Sequence, residues 1–279
     1  MNPMCWFAWR EPPKGVTPRT LPENSLNSDS VVWVPDAATG AVWPYWLGPE
    51  SMGVLGSSIP GRPLAGHLDH HMGWILANAG ILVPSNHALR KRGEWLHYRV
   101  FRSADFRRGF AVVPHLVPPF QLGALRRYFR HNVRIGSYDL GDGQVERRYV
   151  AHNEPIARYI HEQLVCAVSE IAARPVKPSY AYFVAYQSGA KLERHTDRPQ
   201  CEYSITLLID ATPEPEEQSP WPIKLDTSRG TVRIWQYLGE ALFYRGRRLP
   251  HHRGRLPSGS TSSSLLLHYV DQGFSGPLC

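Results

Sequence analysis

The chain has 279 residues, 42% hydrophobic and 20% charged, which gives it a sizeable core and excludes a disordered polymer. Its net charge is +7, and only five of its 31 basic residues are lysine. That balance suits a small-molecule or peptide partner with acidic groups. Nucleic acid is not the expected partner, because no RNP, zinc-finger or basic-helix pattern accompanies the charge.

Residues 1–27, rich in Pro, Arg and Asn, read as a loose arm, and 31–34 as a short strand. Trp33, Trp43, Tyr45 and Trp46 then crowd a Gly/Pro-rich stretch and predict a small packed unit. Across 62–81, Leu64, Leu68, Met72, Ile75 and Ala79 form one apolar stripe and predict a helix stopped by Gly80. Residues 84–95 read as a polar connection. The chain is therefore divided at 95, into an N-terminal arm with a small aromatic-rich module (1–95) and a main domain (96–279). In the main domain, 100–113 is strand-like and 119–130 is a basic helix with proline at its start. A helix is predicted over 153–173, capped by Asn153, with Ile156, Ile160, Leu164 and Val168 on one stripe and Arg174-Pro175 ending it.

After Pro178 the period changes to that of short strands, over 179–187, 202–210, 223–226, 231–236, 240–245 and 262–270. Helices followed by six short strands predict an all-β core with flanking helices (α+β), an antiparallel barrel or sandwich with the helices packed outside.

No apolar run approaches the roughly 18 residues of a membrane span. Residues 1–19 lack the apolar stretch and cleavage site of a signal peptide, so a cytoplasmic protein is expected. Four scattered cysteines without a CxxC pair suggest neither a disulfide framework nor a thiolate zinc site, and Cys166 reads as core packing. Residues 67–71, His-Leu-Asp-His-His, place His67 and His71 four apart on the predicted helix. With no glutamate between them in an HExxH arrangement, they read as a surface or interface face.

The informative segment is 189–199. His195 and Asp197 are two apart, which on a strand puts both side chains on one face. A second histidine arrives 54 residues after Asp197, at His251 or its neighbour His252. Two histidines and one carboxylate on one side of a divalent metal leave three positions open, the facial triad of non-haem Fe(II) oxygenases.

Residues 186–204, Tyr-Gln-Ser-Gly-x-x-Leu-x-x-His-Thr-Asp-Arg-Pro-x-Cys-Glu-Tyr-Ser, resemble the iron-binding region of Fe(II)/2-oxoglutarate-dependent dioxygenases of the prolyl-4-hydroxylase-like branch. The resemblance continues through 221–223, 243–246, 249–251 and 268–270 and covers about residues 96–272. It implies a double-stranded β-helix (jelly roll). It also implies Fe(II) held by His195, Asp197 and His251, with 2-oxoglutarate and O2 as cosubstrates and ascorbate as accessory reductant. The implied reaction is decarboxylation of the keto acid to succinate with hydroxylation of an unactivated C–H bond of an amino acid, peptide residue or related small metabolite. The resemblance favours His251 over His252.

The family carries an Arg or Lys nine to eleven residues after the distal histidine, where this chain has Ser260, Thr261 and Ser262. Arg253, two residues beyond His251, is the first substitute for holding the far carboxylate, and Arg255 the second. Tyr186 and Tyr182 are candidate cosubstrate contacts, and Arg198 a candidate substrate contact. The competing reading is a non-catalytic jelly-roll module that binds a metal or an acidic ligand.

Overall fold

In the computed structural model, residues 1–2, 5–7, 31–36, 40–64, 66–82, 105–114, 116–117 and 119–279 are described. A small N-terminal sheet joins β1 (Trp6–Phe7), β2 (Val31–Pro35) and β3 (Val42–Trp46) in that order. The principal sheet contains β4 (Phe110–Val113), β5 (Asp139–Leu140), β6 (Arg148–His152), β7 (Val176–Tyr186), β9 (Tyr203–Thr212), β12 (Ala241–Tyr244) and β14 (Thr261–Asp271). Its seven strands lie side by side as β4-β12-β9-β14-β7-β6-β5. A second sheet of β8 (Leu192–His195), β10 (Ile223–Thr227), β11 (Gly230–Ile234) and β13 (His251–Arg253) has the order β11-β10-β13-β8. Neighbouring strands in all three sheets are antiparallel.

Five helices are described: α1 (Pro49–Leu55), α2 (His70–Asn78), α3 (Pro119–Arg134), α4 (Pro155–Gln163) and α5 (Val165–Ala172). The last three pack on one face of the principal sheet. Period-two alternation makes this possible. Phe183, Tyr203, Ile205, Leu207, Phe243, Leu265, Leu267 and Tyr269 all turn toward the helices and join one buried cluster. Trp33 and Trp43 of the small sheet enter the same cluster, with the Trp33 and Tyr159 rings 5.0 Å apart. The opposite face of that sheet covers a second cluster, with Val32, Val34 and Tyr45 against Leu55 and Leu76. Burial on both faces explains why β2 reads as a continuous apolar run.

The remaining face of the principal sheet is polar for a protein interior. Residues alternating with the core set, among them Tyr182, Tyr186, Thr206, Tyr244, Ser264 and His268, line a cavity of about 580 Å³. Leu192, Ile223, His251 and Arg253 of the second sheet close the cavity from the other side. The apolar core therefore lies between sheet and helices, and the space between the sheets is left for chemistry.

The structure corrects several sequence expectations. The helix expected over 62–81 is confined to α2, because the Asp69 carboxylate caps it by accepting from the Met72 N–H at 2.9 Å. Leu64 and Leu68 still pack on the second cluster from outside the helix. The cap also removes His67 from any helical pairing with His71. The helix expected over 153–173 is two helices that break at Leu164. Its cap is Glu154, not Asn153: the Glu154 carboxylate accepts from the Ala157 N–H, while Asn153 sits at φ 50°. The basic helix runs to Arg134 instead of 130. Of the strand expected over 100–113, residues 100–104 lie outside the described residues, and of the rest Phe110–Val113 forms the strand. Cys166 is exposed, not core. Strands β1, β3, β5, β6, β8 and β13 were not expected; each has two to five residues. Most of the N-terminal arm, the 84–95 connection and the boundary at 95 lie outside the described residues. No helix among the described residues is long and apolar enough to cross a membrane.

His161, on α4, is fully enclosed and donates Nε2–H to the His268 carbonyl at 2.6 Å. Burial pushes its pKa from 6.5 down to about 3. Between those values the unfolded chain binds a proton that the folded chain refuses. This group's effect on stability is therefore nil above pH about 6.5 and increasingly unfavourable as pH falls toward about 3. The slope is about 1.4 kcal/mol per pH unit. His161→Gln, which keeps a donor, is expected to flatten the fall in urea-unfolding free energy between pH 6 and 4 by about that slope. Parallel pH curves for the two proteins would count against it.

Candidate metal centre

His195 and His251 are direct cross-strand partners between β8 and β13. From His251 to Arg253 the register advances two residues on β13 and three on β8, from His195 to Leu192. This bulge lets Leu192 and His195 both face the cavity although they are three apart. Asp197 follows the end of β8, and its N–H donates to the Gly246 carbonyl at 3.0 Å. The turn thus brings its carboxylate beneath the two imidazoles.

The histidine tautomers are set by the backbone. His195 Nδ1 lies 2.9 Å from the Glu193 carbonyl and His251 Nδ1 3.0 Å from the Leu249 carbonyl. A carbonyl only accepts, so both Nδ1 atoms carry the proton and both Nε2 atoms are left as acceptors, that of His251 also 3.4 Å from the Tyr244 hydroxyl. The two Nε2 atoms meet Asp197 Oδ1 at 3.7 and 3.5 Å. One candidate ligand atom from each of the three residues lies within 4.8 Å of the others. Around one ion, ligands about 2.1 Å from the metal at right angles stand about 3 Å apart, so little inward movement is needed. Three acceptors converging with no shared proton are what a cation would relieve, and the donor set fits a divalent transition metal. Burial lowers the His251 pKa, with Asp197 opposing, which keeps the imidazole in its ligand form.

His252 is turned away from the cavity. It pairs across strands with Lys224, and its buried Nδ1 has no hydrogen-bond partner among the described residues.

Gly246 walls the carboxylate. A Cβ built there would sit 2.0 Å from Asp197 Oδ2 and 2.5 Å from Ser204 Oγ. Gly246→Ala is therefore expected to displace the carboxylate and weaken Co(II) binding by at least about tenfold, at about 1–3 kcal/mol of overpacking cost in stability. Unchanged Co(II) titration of the folded variant would contradict this.

The other expected site residues are placed unevenly. Arg253 is buried (3% exposed) and faces the cavity. It donates to the Trp221 carbonyl at 2.6 Å and to Gln236 Oε1 at 3.3 Å, with its guanidinium 4.7 Å from the Trp221 ring. No carboxylate pairs with it among the described residues. Tyr186 faces the cavity and its hydroxyl accepts from Arg148 at 2.9 Å. Tyr182 faces it too and donates to Asp142 Oδ2 at 3.0 Å. Arg198 is exposed at the rim beside His152, whose pKa is lowered by burial and then by this cation. Arg255 is outside the cavity, exposed and donating to the Gly189 carbonyl.

Sequence reasoning missed Arg148, Tyr244, Ser204, Gly246 and His268. Arg148 is buried, but its charge is met by Asp142. The Tyr244 hydroxyl lies 3.4 Å from His251 Nε2. Ser204, Tyr244, Gly246 and His268 all fall inside the segments that carry the family resemblance, which was the available signal. Arg148 gave none in an arginine-rich chain. Cys201 bonds the Tyr180 hydroxyl at 3.2 Å, and burial pushes its thiol up to about 12, so it is no nucleophile.

No family model matches this sequence, and no curated protein matches it. Solved structures do. A prolyl hydroxylase from Trichoplax adhaerens, in complex with a hypoxia inducible factor oxygen degradation domain peptide fragment, aligns with 68% of this chain and 95% of its own. The identity is 14% and the TM-score 0.52. The non-heme alpha ketoglutarate dependent epimerase SnoN from nogalamycin biosynthesis aligns with 63% of this chain and 81% of its own, at 12% identity and a TM-score of 0.50. This chain shares their fold, the double-stranded β-helix. In this double-stranded β-helix the triad sits between the two sheets, on β8, the turn after it and β13.

Proposed function

We propose that the protein is a non-haem Fe(II)/2-oxoglutarate-dependent oxygenase that hydroxylates an unactivated C–H bond. One observation carries the reading. The convergent His195–Asp197–His251 acceptors share a cavity with Arg253, a buried cation that lacks a carboxylate. A metal and a dianionic keto acid would supply the two charges that this arrangement calls for. When bound, iron and 2-oxoglutarate supply the oxidising power, with O2 consumed and succinate formed.

The chain's own residues hold, orient and exclude. His195, Asp197 and His251 would hold the ion and leave three positions open. Arg253 would bind the far carboxylate of 2-oxoglutarate, in place of the Arg or Lys absent at 260–262. Tyr186, held by Arg148, flanks that end, and Tyr182 stands nearer Asp142. Arg255, outside the cavity, drops to a peripheral role. Arg198 would meet an anionic group on an amino acid, a peptide residue or a related metabolite. The rings of His152, Tyr180 and Tyr182 would form a wall beside it. The names of the structural neighbours, a prolyl hydroxylase and an alpha ketoglutarate dependent epimerase, support this class of chemistry.

The test is to supply Fe(II), ascorbate, 2-oxoglutarate and O2 with pools of amino acids and peptides. Succinate should form, with a substrate gaining one oxygen by mass spectrometry. Tight metal binding with no succinate under any pool would support the binding module instead.

A further inference from the structure

Asp197 has two carboxylate oxygens, and only one faces the histidines. Oδ2 accepts from the Ser204 hydroxyl at 2.6 Å. Ser204 Oγ in turn lies 3.0 Å from His268 Nδ1. Ser204 on β9 and His268 on β14 are direct cross-strand partners, 0% and 5% exposed. The serine has a single proton and gives it to the carboxylate. His268 must therefore donate Nδ1–H to Ser204 Oγ. Burial pushes the His268 pKa down to about 4, consistent with one ring proton at neutral pH. The strand segment is itself pinned, since the His268 carbonyl accepts from His161 Nε2 at 2.6 Å and from Ser179 Oγ at 2.9 Å.

We infer that Ser204 and His268 are positioning residues that keep Asp197 a one-oxygen metal ligand. The inference rests on the metal reading above. Six positions surround an octahedral ion. With Oδ1 alone bound, the triad fills three and leaves three, enough for a two-point cosubstrate and O2. If Oδ2 also bound, only two would remain. Gly246 blocks the carboxylate from backing away, and the hydroxyl of Ser204 ties down its second oxygen. The pair works through Asp197. It also accounts for Ser204, Gly246 and His268 together, three positions to which the triad gives no role.

The experiment is a titration with Co(II), whose visible bands report coordination number, on wild type, Ser204→Ala, His268→Phe and His268→Asn. His195→Ala serves as the control for the metal site. Circular dichroism checks each fold, and Ser204→Ala, which removes one oxygen atom, carries the test if His268→Phe fails to fold. Ser204→Ala and His268→Phe should weaken Co(II) binding by about 10–100-fold and alter the bands as the second oxygen swings inward. His268→Asn, whose amide N–H can replace Nδ1–H, should recover most of the affinity and the wild-type bands. Wild-type affinity and bands in Ser204→Ala would overturn the inference. So would His268→Asn behaving no better than His268→Phe, which is the mark of a packing role. If wild type and His195→Ala both take up no Co(II), the metal reading falls and the brace with it. If wild type binds and all the variants match it, only the brace falls.

Discussion

Asp197→Ala is expected to lose metal binding by at least about a thousandfold, about 4 kcal/mol, and succinate formation with it. The cause is the loss of the centre's only negative charge. His195 and His251 present neutral lone pairs, so Asp197 alone offsets the charge of a dication. Fold stability should move the other way or hardly at all. In the metal-free protein three acceptors crowd one point, and removing one relieves repulsion. The variant also frees the Ser204 hydroxyl, a loss of about 1–2 kcal/mol that offsets part of the relief. Anaerobic Fe(II) titration paired with thermal unfolding measures both quantities. A folded Asp197→Ala that binds Fe(II) as wild type does would sink the triad.

Arg253→Met is expected to raise the concentration of 2-oxoglutarate needed for half-maximal turnover by about 100-fold, about 3 kcal/mol, while Co(II) affinity stays within a few-fold. The cause is a buried charge. A guanidinium at 3% exposure whose hydrogen-bond partners among the described residues are a carbonyl and an amide oxygen is costly to keep, since burial works against its charge. A carboxylate entering the cavity would compensate it. A methionine of similar length removes the charge and retains much of the packing against Trp221. Metal-free stability should therefore change by less than about 2 kcal/mol, because lost hydrogen bonds and relieved desolvation oppose each other. Arg253→Lys should recover only part of the affinity, since a point charge cannot grip a carboxylate through two parallel bonds. Unchanged 2-oxoglutarate dependence in Arg253→Met would move the anchor elsewhere, with Arg148 next because it faces the same cavity.

Several elements are legible in the residue pattern. The strands over 202–210 and 262–270 were legible as short strands, and in the structure one face of each packs on helices. Their observed ends, Tyr203–Thr212 and Thr261–Asp271, differ by one or two residues. Helix boundaries were less legible. The stripe over 62–81 is real as burial, yet the Asp69 cap leaves Leu64 and Leu68 outside the helix. Periodicity reports which side chains are covered, not which backbone hydrogen bonds cover them.

By itself the sequence determined the residue types and their order: His195 and Asp197 two apart, a late histidine, and an alternating pattern able to fold into sheets. Local spacing can express the strand pattern, whereas Asp197 itself lies just past the end of β8. The tertiary structure alone decided which of the adjacent histidines faces the cavity, that Arg253 is buried without a carboxylate, and that Ser204, Gly246 and His268 enclose the outer oxygen of Asp197. Each depends on the register between strands far apart in the chain, and a shift of one residue would turn the side chain to the opposite face.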